Sequence, residues 1–191
     1  MKDNLLKIPQ QRADEILSRY ELPKELQVHL QPDMTPMAFL RALNAEKEFH
    51  AIVTFLSHAL PAREAIWWGC ACLERLQQAL PELQQKALQA ARTWVQEPSE
   101  ENRRIAERYA QRAELDNAAG WLAQATFWSG GSITPIEGPP SPAPDYLYSH
   151  AIAGAICLAA VLPDASKAEE RYGQFIRMGV HIADGGNGAV D

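Results

Sequence analysis

Leu60-Pro61-Ala62-Arg63-Glu64-Ala65-Ile66-Trp67-Trp68-Gly69-Cys70-Ala71-Cys72-Leu73-Glu74-Arg75-Leu76 decides the fold class. Pro61 can open a helix, because its missing N–H falls where first-turn donors are unpaired anyway. Ala65, Ile66, Trp68, Cys72, Leu73 and Leu76 then lie largely on one side, while Arg63, Glu74, Arg75, Gln77 and Gln78 crowd the remainder. Trp67 falls at the edge of the apolar stripe. This is the heaviest core signal in the chain, and it has helical period.

The same punctuation repeats outward in both directions. Upstream, Ala13, Ile16, Leu17 and Tyr20 form a stripe within 10–20, and Thr35-Pro36 reads as an N-cap with proline at the first helical position. Phe49, Ile52, Val53 and Leu56 mark a further helix within 45–59. Downstream, Leu80-Pro81 repeats the corner, Ser99 caps a helix opening on Glu100 and Glu101, and Asn117 caps one carrying Trp121 and Trp128. Gly130 is expected to end that helix with positive φ. A small-residue helix over 145–162 and a last helix starting at Asp164 complete the series. No long alternating run rich in β-branched residues appears, so the expected fold is all-α, about eight or nine helices in one compact domain. That domain spans 1–183, with 1–34 peripheral, a Gly/Pro-rich strap at 129–145 and a flexible tail at 184–191.

Charge and composition narrow the function. A net charge of -6 disfavours nucleic acid as a partner. Arg103, Arg104, Arg108 and Arg112 alternate with Glu100, Glu101, Glu107 and Glu114, which predicts a solvated, ion-paired helix face. The apolar stretch from Ala151 to Leu162 falls short of the roughly 20 residues a spanning helix needs, so a buried core helix is expected there. The start, Met1 to Lys7, has no apolar stretch of signal length, and a cytoplasmic location follows as the expectation. Cys70, Cys72 and Cys157 sit in apolar surroundings that suit packed, reduced thiols.

No catalytic, cofactor or metal site is expected. Cys70 and Cys72 point about 200° apart on a helix. His50 and His58 could share a face with Glu46, but no fourth ligand accompanies them. His150 and His181 fall in different helices and could meet a carboxylate, but no catalytic pattern pairs either with a nucleophile. Ser129-Gly130-Gly131-Ser132 follows a helix and runs into prolines, the reverse of a phosphate loop, so it reads as a helix stop launching the strap. Pro135-Ile136-Glu137-Gly138-Pro139-Pro140-Ser141-Pro142-Ala143-Pro144 cannot be helical. Trp121, Trp128 and Trp67 are expected to gather beside it, either clamping the strap or leaving an aromatic face open.

Four blocks carry a family resemblance: Met34-Thr35-Pro36 with Phe39-Leu40; Phe55 to Pro61 running on through Arg63 to Trp68; Trp94 followed by Pro98 to Arg103; and Trp121-Leu122 through Phe127 to Ser132. Together they resemble an uncharacterised bacterial family of all-helical domains of unknown function. The resemblance implies an association with type VI secretion gene clusters and brings no catalytic residues to carry over.

The leading expectation is therefore a non-catalytic adaptor or accessory protein that holds a protein partner. Its binding surface would comprise Trp67, Trp121, Trp128, Ser129, Gly130, Gly131, Ser132, Pro139 and Pro140. An alternative is a small-molecule sensor or enzyme, with a pocket between the Trp67-Trp68 helix and the Gly154 helix lined by His58, Arg63 and Glu64. A third is a structural subunit of a larger assembly.

Overall fold

A computed structural model describes residues 5–76 and 80–190. Met1 to Asn4, Gln77, Gln78 and Asp191, named above by position or by pattern, lie outside them. Among the described residues the chain is all-α. Its helices are α1 (Ala13–Leu17), α2 (Pro36–Ala45), α3 (Phe49–Ala59), α4 (Ala62–Glu74), α5 (Glu82–Gln96), α6 (Glu100–Ala113), α7 (Ala118–Trp128), α8 (Leu147–Val161) and α9 (Ala168–Ala183). Short 3-10 segments cover Lys24–His29 and Ala165–Lys167.

The caps that bound these helices are made by short polar side chains. Thr35 Oγ1 accepts from Ala38 N at 3.2 Å, Ser99 Oγ from Asn102 N at 3.2 Å, and Asn117 Oδ1 from Gly120 N at 2.9 Å. Each satisfies a first-turn donor that has no partner inside the helix, a contribution of about 1 kcal/mol. The first helix is shorter than its stripe predicts. The chain leaves it at Ser18, and Arg19 then donates to the carbonyl of His58 while Tyr20 packs on the His58 ring. After α7 the residue with positive φ is Gly131, at 63°, and not Gly130.

The central pair is α7 and α8, whose buried positions are rich in alanine, glycine and other small residues. Small side chains let these two helices pack closely. The amphipathic helices α3, α4, α5, α6 and α9 surround them and turn their apolar stripes inward. Trp68 is fully buried, and its ring N–H donates to Phe175 O at 2.7 Å. A Cβ on Gly179 would come within 2.7 Å of that ring, so the absent side chain is what lets α9 approach α4. Trp67, at the edge of the stripe, is half-buried.

The first and last described segments are both tied to this body. Leu5, Ile8, Ala13, Ile16 and Leu17 are buried, and Lys7 N donates to Ala183 O at 2.8 Å. In the segment read as a flexible tail, Asn187 O accepts from the Trp67 ring N–H at 3.0 Å and Val190 O accepts from Arg75 at 3.0 Å. Cys70, Cys72 and Cys157 are free thiols, and burial pushes all three up. Among the described residues no single helix is long and apolar enough to cross a membrane. No group of three or more His, Cys, Asp or Glu among them could hold a metal ion.

Candidate functional site

The strap has a built-in imbalance. Pro135, Pro139, Pro140, Pro142 and Pro144 contribute carbonyl acceptors and no N–H donors, so backbone pairing within the segment cannot satisfy all of its carbonyls. Donors must come from elsewhere, and α6 supplies them. Arg103 and Arg104, read from sequence as part of a solvated face, are 3% and 8% exposed. That expectation is corrected for these two residues; their charge pairs exist, but both arginines are buried while their shared partner Glu100 stays exposed.

Arg103 grips Glu100 through two bonds of 2.7 Å. Its remaining donors reach the carbonyls of Phe127 and of Ser132, the latter at 2.8 Å. Arg104 donates to Glu100 at 2.9 Å and Glu107 at 3.1 Å, then to Ser132 O and Thr134 O, both at 2.9 Å. Both guanidinium groups lie over the Phe127 ring, at 4.7 and 5.2 Å from its centroid. A planar fork of five donors is the side chain that can serve a carboxylate and several carbonyls together. The bond from Arg103 is the main cause holding the Glu100 carboxyl below its ordinary range.

The strap then closes on itself. Ile133 N donates to Ser141 O at 2.8 Å, and Ser132 and Pro142 face each other as an isolated antiparallel bridge. Ser132 Oγ accepts from Ser141 N at 2.9 Å, and Thr134 Oγ1 donates to Pro139 O at 2.7 Å. Gly138 N bonds Pro135 O at 2.9 Å, a tight turn that places Ile136 at its apex. Ile136 is 78% exposed, and Pro139 and Pro140 are exposed beside it. Gly131 is required where it stands: its φ is positive, and a Cβ there would meet the Arg103 guanidinium at 2.8 Å.

The predicted surface is divided by the fold. Ser129, Gly130, Gly131, Ser132, Pro139 and Pro140 belong to the strap and its root, and half-buried Trp121 and Trp128 form an edge-on pair 6.5 Å apart on α7. Trp67 does not join them. It shares a shallow pocket of about 250 Å³ with Lys7, Arg63, Glu64 and the Gly185-Gly186 turn. Arg103 and Arg104 are what sequence reading missed. The available signal was the surplus of strap carbonyls, which calls for fixed donors nearby.

The alternative pocket is also divided. Arg63, exposed, donates to Val95 O at 2.7 Å, and half-buried Glu64 pairs with Lys7 at 3.1 Å. His58 lies apart from both, fully buried in a seam between α3 and α8. Gly154 lines a separate pocket of about 300 Å³ with Tyr20, His50 and His150. In the seam the His58 ring is 4.4 Å from Tyr20, 4.6 Å from His150 and 6.2 Å from Tyr146 by centroid. Its Nδ1 donates to Thr54 O at 2.8 Å, while Nε2 and the Tyr20 hydroxyl are buried without partners. Burial is the main cause that lowers the His58 pKa to about 4, and burial pushes Tyr20 up.

Residues 39–183 match the family described as a family of unknown function, DUF6931. The chain belongs to this family. No curated protein and no solved structure matches the chain. Of the arginine-held strap, Arg103 to Pro144 lies wholly inside the matched region, so the strap and its anchors are part of the family's domain and not an appendage to it.

Proposed function

We propose that the chain is a non-catalytic binding protein that presents its strap to a protein partner, with Ile136 as the apolar contact and Pro139 and Pro140 flanking it. The observation that carries this reading is one highly exposed isoleucine at the apex of a loop whose backbone is fixed by two buried arginines. An apolar contact on a prebuilt loop loses little conformational entropy on association, which is how a small surface reaches useful affinity. Three free thiols in apolar surroundings favour a reducing compartment, and so a cytoplasmic protein. The sequence resemblance makes a type VI secretion component the first partner to test, with the chain as its adaptor or accessory factor.

The test is capture from extracts of the native cell by wild-type protein and by Ile136→Ser. The substitution lies on an exposed position, so the thermal melt is expected to stay within about 0.5 kcal/mol of wild type. The partner should be retained by wild type and lost by the variant. Equal retention by both would refute the strap as the binding surface.

A further inference from the structure

A groove of about 650 Å³ lies between α2 and α9, away from the strap and independent of its reading. Met37, Leu40, Ile52 and Ile176 supply its buried apolar walls, with Val180 half-buried among them. Leu5 and Val190, from the two ends of the chain, complete it. Its size falls in the roughly 300–1,000 Å³ range of small-molecule sites, and its mix of apolar wall with few polar groups is the pattern of such sites.

The polar groups are not spread evenly. The Lys47–Glu169 ion pair, at 2.7 Å, ties the corner after α2 to the start of α9. On α9, Arg177 lies nearer that corner than Asp184, which follows about two turns further along the helix. Asp184 stands at the other end, next to where Lys7 N bonds Ala183 O. Arg177 is exposed and makes no ion pair with a described residue. One turn further along α9, His181 lines the groove with its Nδ1 buried and unpartnered, while Gly186 packs against the other edge of the ring. An apolar trough with the exposed Arg177 guanidinium at its margin is complementary to a molecule with an anionic head and an apolar body.

We propose that this groove binds a small anionic amphiphile, a medium-chain carboxylate in kind, with its chain along Met37, Leu40, Ile52 and Val180 and its head at Arg177. The apolar wall supplies affinity by removing the chain from water, and the arginine sets orientation and selects the head.

The test is calorimetric titration of the full chain with laurate below its micelle threshold, beside dodecanol and dodecyltrimethylammonium. Saturable one-to-one binding of laurate is expected, with the cationic analogue weaker. Arg177→Glu, a change at an exposed position, should weaken laurate by about tenfold. Val180→Trp should fill the trough and abolish binding of laurate and dodecanol alike; its melt is recorded, and Arg177→Glu decides alone if that variant unfolds. No saturable binding of laurate, or equal affinity for all three heads with Arg177→Glu unchanged, would overturn the proposal.

Discussion

The strap and the His58 seam treat buried polar groups in opposite ways. At the strap, Arg103 and Arg104 spend their donors on Glu100, Glu107 and the carbonyls of Phe127, Ser132 and Thr134. The result is an irregular segment whose root is held by side-chain donors in place of a backbone ladder. In the seam, His58 Nε2 and the Tyr20 hydroxyl sit in contact-distance rings yet find no partner. A satisfied network fixes geometry, whereas an unsatisfied one stores a penalty that solution conditions can reveal.

The largest effect should come from breaking the satisfied side. Arg103→Met keeps much of the side-chain length and removes the donors, leaving the Phe127 carbonyl without its guanidinium partner and Glu100 without its closest one. A loss of about 3 kcal/mol in urea unfolding is expected, with a smaller loss for Arg104→Met, which is more exposed. A change below about 0.5 kcal/mol in Arg103→Met would mean the strap is not held by this residue.

The seam should answer to pH instead. His58 has its pKa lowered to about 4 from 6.5, first by burial, with His150 and Arg19 adding to the effect and the bond to Thr54 opposing it. Between those values the unfolded chain takes up a proton that the native chain refuses. Stability from this residue is therefore complete above about pH 6.5, falls as the pH drops to about 4, and is level below, a loss of at most about 3 kcal/mol. His58→Phe should flatten that part of the stability profile. A profile unchanged by the substitution would remove His58 as its source.

A smaller effect is expected at Gly131. Alanine there must adopt a positive φ and push against the Arg103 guanidinium, which four hydrogen bonds to Glu100, Phe127 and Ser132 hold in place. The melt should fall by about 1–2 kcal/mol, and the same substitution at Gly130, where a Cβ meets nothing within 4 Å, should be nearly silent. Equal effects at the two glycines would contradict the assignment of the turn.

Much of the fold was legible because local chemistry settled it. Thr35, Ser99 and Asn117 cap their helices as short polar residues before a periodic run do, and the Leu60-Pro61 and Leu80-Pro81 corners precede α4 and α5. The misreadings concern residues whose role depends on a distant part of the chain. Arg103 and Arg104 have the spacing of surface ion pairs with Glu100 and Glu107, and nothing within α6 says that carbonyls about 30 positions away will cover them. Trp67 was grouped with Trp121 and Trp128 by residue type alone, but its rotation on α4 turns it to Asn187. His58, Arg63 and Glu64 are neighbours in sequence and part company because the Leu60-Pro61 corner redirects the chain between them.

The central claim is that the strap is a preformed surface, and amide hydrogen exchange of the wild-type chain tests it most directly. Ile133, Gly138 and Ser141 N–H groups bond to Ser141 O, Pro135 O and Ser132 Oγ within the strap. The account predicts that these three amides exchange far more slowly than in an unstructured peptide, and that Arg103→Met releases them while α8 stays protected. Exchange of all three at unstructured rates in the wild-type chain would contradict it.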